Sequence, residues 1–160
     1  MDSFPQNWRI RGTTEKLGIP PSEATPGKLY SKPLQGKMYT ETYFEMDKRE
    51  WPVLTAFLAD HGYQHKAFKS SGWNTEYCYK ITGKTYQMFQ MDEDLSDKTA
   101  MFMIIVGYGT PNTNSNRPAQ EARATETISY NTWSTEKTKV GNAISSLMNE
   151  YKKTHRFKPP

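Results

Sequence analysis

Paired cysteines, long apolar runs and a catalytic constellation are all missing from this 160-residue chain, and each absence removes a class of protein. Cys78 stands alone and cannot form an internal disulfide, and no Asn-x-Ser/Thr glycosylation acceptor occurs, so a reducing, cytoplasmic or otherwise intracellular setting is the expectation. No stretch approaches the ~18–20 apolar residues of a membrane-spanning helix, and the opening MDSFPQNWRIRG lacks the apolar region of a secretory signal. No membrane partner is expected.

Hydrophobic residues are also scarce. They make up 35% of the chain, which with ten glycines stays below the ~45–50% of an average globular domain. The mean hydropathy is -0.86. A chain this polar must concentrate its apolar residues in part of its length, because polar stretches cannot offset the entropy of ordering them. Its length suits one core of ~100–150 residues. Two folded domains are not expected.

What is present divides into three stretches. Residues 1–36 hold five of the ten prolines and four of the ten glycines, with no helix or strand period. They read as an extended N-terminal arm whose anchors, Phe4, Trp8, Ile10, Leu17, Ile19 and Tyr30, sit between proline-set turns. Fully stretched, such an arm reaches on the order of 110–120 Å, enough to lie over its own domain or cross to a neighbour.

Residues 37–153 read as an α+β domain. KMYTETYFEM is a strand with Met38, Phe44 and Met46 on one face. In DKREWPVLTAFLADHG, Asp47 and Glu50 have capping-box spacing, Trp51, Val53, Leu54, Phe57 and Leu58 form an apolar stripe, and Gly62 stands at the C-cap. Four strands follow: YQHKAFK, NTEYCYKI, KTYQMFQM and AMFMIIVGY. A two-residue Thr82-Gly83 turn would set Tyr79 opposite Tyr86 and Tyr77 opposite Met88. The continuous apolar run of the last strand predicts a central strand covered on both faces. Residues 109–124 form a polar, Asn-rich loop, expected to be exposed. TETISYNTW reads as a sixth strand, and STEKTKVGNAISSLMNEYKK as a helix with Val140, Ile144, Leu147, Met148 and Tyr151 inward. The expected fold is therefore a largely antiparallel sheet of about six strands with two helices, its second face covered by the arm or by another subunit.

The tail, residues 154–160, is basic. Within 149–160, Lys152, Lys153, Arg156 and Lys158 face only Glu150, so this end contributes +3 of the net +4.

The candidate chemistry is thin. His61 and His65 are four apart, but Gly62 should end the helix between them and no third ligand is near. Cys78 lies among strand tyrosines with no orienting partner, so it reads as a buried small hydrophobe. Counting a calcium loop from Asp92 puts Asp97 at the place for Gly and Met103 at the place for Glu, so the pattern fails. Gly107-Tyr108-Gly109 lacks a third glycine and leads into Thr110-Pro111, which leaves no phosphate cradle. No catalytic residue, metal, cofactor or small-molecule substrate is inferred.

Two functional expectations follow. The first is a non-enzymatic structural or interaction subunit, tethered by its arm to other protein subunits or to copies of itself. A virus or phage particle component fits that architecture, and its location would then be the virion. The second is a single-stranded nucleic-acid-binding module. Its signal is the interleaving of Lys66, Lys69, Lys80 and Lys84 with Trp73, Tyr77, Tyr79 and Tyr86 on strands, which would set flat rings for bases beside cations for phosphates.

Overall fold

The computed structural model describes residues 3–19, 33–124 and 126–157. Six strands, β1 (Arg9–Lys16), β2 (Tyr39–Glu45), β3 (Gln64–Ser70), β4 (Trp73–Thr82), β5 (Thr85–Asp94) and β6 (Thr99–Tyr108), form one sheet. Its order is β1-β2-β6-β5-β4-β3, and every neighbouring pair is antiparallel. With helices α1 (Trp51–Asp60) and α2 (Tyr130–Thr154), the domain is of the α+β class.

Both helices lie on one face of the sheet. Their buried residues, among them Trp51, Leu54, Leu58, Trp133, Ile144 and Met148, share one cluster with Phe44, Cys78, Phe89, Phe102 and Ile104. The period of two along each strand sends the alternate residues to the opposite face, where Tyr39, Tyr77, Tyr79, Tyr86, Met88, Met103 and Ile105 form a second cluster. The apolar run of β6 thus feeds both clusters, and β6 lies inside the sheet, between β2 and β5.

Local signals set the helix ends. Ser129 caps α2 by accepting from the Thr132 N–H at 3.1 Å. The α1 C-terminus closes as a Schellman motif: the Gly62 N–H bonds to the Ala59 carbonyl, the Tyr63 N–H bonds to the Leu58 carbonyl, and Gly62 has φ +85°. At the other end Asp47 caps a single 3-10 turn, Lys48–Glu50, by accepting from the Arg49 N–H. The second half of the capping box does not form, because the Glu50 side chain turns into the core.

Several expectations are corrected. The sixth strand is not TETISYNTW. Ser129 starts a helix there, and only Ile128 bridges to Leu34. The sixth strand is β1, drawn from within the arm and paired along β2 with a bulge between Ile10 and Gly12. Its eight residues, RIRGTTEK, are all exposed and carry almost no apolar signal. The hairpin turn is Gly83-Lys84, one residue later than expected, which pairs Tyr79 with Met88 and Tyr77 with Gln90. Gly83 has φ +60° at the first central position, as a type II′ turn requires. The slip moves the pairing by two residues, so no side chain changes face. Val53 is exposed at the edge of the α1 stripe.

Within the chain, the second face is covered in part by a segment other than the arm. It is the 109–124 loop: Ala119 and Ala122 are buried in the second cluster, and the Tyr77 hydroxyl donates to the Ser115 carbonyl at 2.8 Å. The loop expected to stand in solvent lies across the sheet.

Candidate functional site

Of the arm's six anchors, two are buried in their own domain and a third is partly packed on it. Phe4 and Trp8 are buried in the main core, with Trp8 stacked on Phe44 at 4.4 Å. Two such burials are worth roughly 1.5–3 kcal/mol each and offset part of the entropy of ordering the segment. A polar hub reinforces them. Glu50, 2% exposed, accepts from Asn7 Nδ2 at 2.6 Å, from Trp8 Nε1 at 3.0 Å and from the Tyr151 hydroxyl at 2.9 Å. The hub joins the arm, the start of α1 and the end of α2. Leu17 packs partly on the core, Ile10 and Ile19 remain exposed, and Tyr30 lies outside the described residues. As a free tether, the part of the arm described does not survive.

The nucleic-acid candidates are split between the two faces. Tyr77, Tyr79 and Tyr86 are buried in the cluster under the loop, with Tyr77 and Tyr86 essentially inaccessible. Burial raises the hydroxyl pKa values of Tyr77 and Tyr86. Trp73 is 44% exposed on the same face. By register Lys66 shares that face, whereas Lys69 and Lys80 point to the helix side, and Lys84 pairs with Glu126. Rings and cations are not interleaved on one surface.

What the loop leaves open is the end of this face near the β3–β4 and β5–β6 turns. Asp92 lies between Thr75 and Met101 across the register, and Trp73, opposite Asp94, is its diagonal neighbour; Trp73 and Met101 are 44% and 47% exposed, with half-buried Phe68 and Tyr43 beyond. The four inner strands carry Glu41, Glu45, Asp92 and Asp94 here and no basic residue; Arg9, Lys16 and Lys66 sit on the edge strands, and Arg11, at the β1 bulge, pairs with Glu45 at 3.3 Å. Asp92 is central. Gln90 Nε2 donates to its Oδ1 at 3.0 Å, and burial raises its carboxyl above the usual aspartate range, against hydrogen bonds from Gln90 and Thr75. Among the described residues no cation pairs with it. The Tyr43 hydroxyl donates to Glu41 at 3.1 Å and is pushed up to about 12, first by burial and then by Glu41, with a smaller contribution from Asp92. Gln90 Oε1 is buried without a partner. The arrangement is an aromatic and methionine floor around an uncompensated carboxylate, which favours a cation.

No protein-family model, curated protein or solved structure matches this chain. The site therefore rests on its own geometry.

The remaining motifs have structural explanations. His61 and His65 are split by Gly62: His61 Nδ1 meets the Phe57 carbonyl, and His65 meets Glu76. Among the described residues no group of three or more His, Cys, Asp or Glu is placed to hold a metal ion. Burial, with a smaller effect from Glu76, pushes the Cys78 thiol up to about 12, so it stays protonated. Asp94 and Asp97 each accept from the backbone N–H two residues on, so the acidic stretch is a chain reversal. Gly107 is required because the hydroxyl end of the Tyr86 ring lies against it, and a Cβ there would overlap the ring's Cζ. Gly109, at φ +95°, lies against the Arg123 carbonyl. Among the described residues no helix is long and apolar enough to cross a membrane.

Sequence reasoning missed Glu41, Tyr43, Asp92 and Met101 as neighbours. Alternation could have placed each on a face, but the long pairing of β2 with β6 that brings them together carries no local signal.

Proposed function

We propose that this protein is a non-enzymatic interaction subunit that receives a cationic segment of a neighbouring protein on the open end of its sheet. The observation that carries the reading is Asp92: a carboxylate held at an energetic cost, without a cation among the described residues, directly opposite exposed Met101 and diagonal to exposed Trp73. An incoming Lys or Arg would supply the missing charge, and its alkyl stem or guanidinium plane would cover the exposed ring. Among the described residues the chain's own basic end carries Lys152, Lys153 and Arg156 near the α2 C-terminus, on the helix side of the domain. A second copy could therefore provide the segment, as a repeating particle subunit would. An intracellular or virion setting accords with a lone protonated thiol.

Nucleic acid is the less favoured occupant. The buried tyrosines and the acidic inner strands leave no stacking platform beside cations on this face.

The test is titration calorimetry at about 50 mM salt with three probes: a synthetic peptide of residues 149–160, oligolysine and a single-stranded oligonucleotide. Light scattering of the protein alone accompanies it. Binding of either basic peptide, lost in Asp92→Asn and weakened in Trp73→Ala, is the expected result. Oligonucleotide binding without peptide binding would replace this reading with the nucleic-acid one. Peptide binding unaffected by either substitution would move the surface elsewhere.

A further inference from the structure

We propose that the cleft between α2 and the β4–β5 hairpin binds a small amphipathic anion, an apolar body bearing one acidic group. The cleft lies on the helix side of the sheet, away from the Asp92 face, and its volume of about 420 Å³ falls within the ~300–1,000 Å³ of small-molecule sites.

Its walls differ in chemistry. Val140, Ala143 and Leu147 line it from α2, spaced three and four apart so that they share one helix face. The opposite wall is polar and comes from the hairpin. At its base the Tyr63 hydroxyl donates to Gln87 Oε1, and both side chains are buried. That bond uses the amide's acceptor. Among the described residues Gln87 Nε2 has no acceptor of its own, although Gln87 is only 7% exposed and lines the cleft. Gln87 Nε2 is not among the fully buried atoms, so this amide N–H is open to the cleft and free to donate to a ligand oxygen.

The charges at the rim point the same way. Lys80 from β4 and Lys139 from α2 flank the cleft from opposite walls. Among the described residues Lys80 Nζ reaches only the His61 carbonyl, at 3.4 Å, and Lys139 has Glu136 at 3.8 Å. Two ammonium groups and a free amide donor outweigh the single carboxylate. A neutral apolar ligand would use only the α2 wall, and a cation would meet both lysines. An anion with an apolar body satisfies both walls.

The test is a fluorescence titration of the full chain with 8-anilinonaphthalene-1-sulfonate and with N-phenyl-1-naphthylamine, which has the same rings without the sulfonate. The sulfonate should bind one to one and more tightly than the amine. Lys80→Met with Lys139→Met should weaken the sulfonate about tenfold and leave the amine unchanged, the scale of charge-assisted contacts at a solvent-facing rim. Ala143→Trp, at an exposed α2 position, should fill the cleft and remove both dyes, with unchanged far-UV dichroism as its folding control. Equal affinity for the two dyes, or unchanged affinity in the double lysine variant, overturns the anion assignment. Full binding in Ala143→Trp places the dyes on another surface and overturns the site.

Discussion

Trp8 donates its indole N–H to Glu50 across 42 positions of chain, at 3.0 Å, while its ring stacks on Phe44. The one side chain therefore ties the N-terminal segment to both a strand and the start of α1. Glu50 holds three donors in a buried site, so removing it leaves all three without an acceptor. Glu50→Ala should destabilise the protein by about 3–5 kcal/mol, read as a lower urea midpoint. Deleting residues 1–16 removes β1, Phe4 and Trp8 together, and should abolish cooperative unfolding. A fragment beginning at residue 37 that unfolds like the full chain would show the arm to be an accessory.

Gly107 and Tyr86 are cross-strand partners whose packing admits no Cβ at position 107. Gly107→Ala should cost about 3 kcal/mol, the upper end for overpacking a filled core. In a Tyr86→Ala background the same change should cost much less, because the obstructing ring has gone. A double-mutant cycle by urea denaturation measures the coupling, and additive costs would contradict the packing.

Asp92 gives a pH signature of the proposed surface. Its folded pKa lies above the unfolded value, so the native state binds the proton more tightly. Its contribution to stability therefore falls as pH rises from the unfolded value of about 3.9 through the folded one, and stays unfavourable at neutral pH. Asp92→Asn should raise the urea midpoint at pH 7, with the gain shrinking towards pH 3. A variant less stable than wild type at pH 7 would mean that the carboxylate already has a stabilising partner.

Cys78 is protonated and buried between the sheet and the helices. The native protein should react with a thiol-specific disulfide reagent only as fast as it opens, and completely in denaturant. Rapid reaction of the native thiol would require a channel to it.

The sequence reading is accurate where local chemistry and core burial agree. Gly62 closes α1, Met38 and Phe44 face inward, and the run of β6 marks an inner strand because it can be satisfied only by cover on both faces. It fails at β1, whose polar, Gly-containing sequence becomes a strand only because the edge of β2 is there to pair with. It fails again at TETISYNTW, where β-branched residues suggest a strand but Ser129 caps a helix and Trp133 is buried beneath it.

The sequence by itself determined the class, the two helices and the alternation that divides the strands into two faces. These follow from side-chain periodicity and caps, which act over a few residues. Only the tertiary structure decided that residues 3–19 of the arm lie on their own domain, that the 109–124 loop covers the tyrosines, and that Asp92 sits opposite Met101 without a cation among the described residues. Each of these depends on contacts between segments far apart in the chain. Whether a polar loop faces solvent or an apolar sheet is settled by the area it can bury there, and its own composition does not record that.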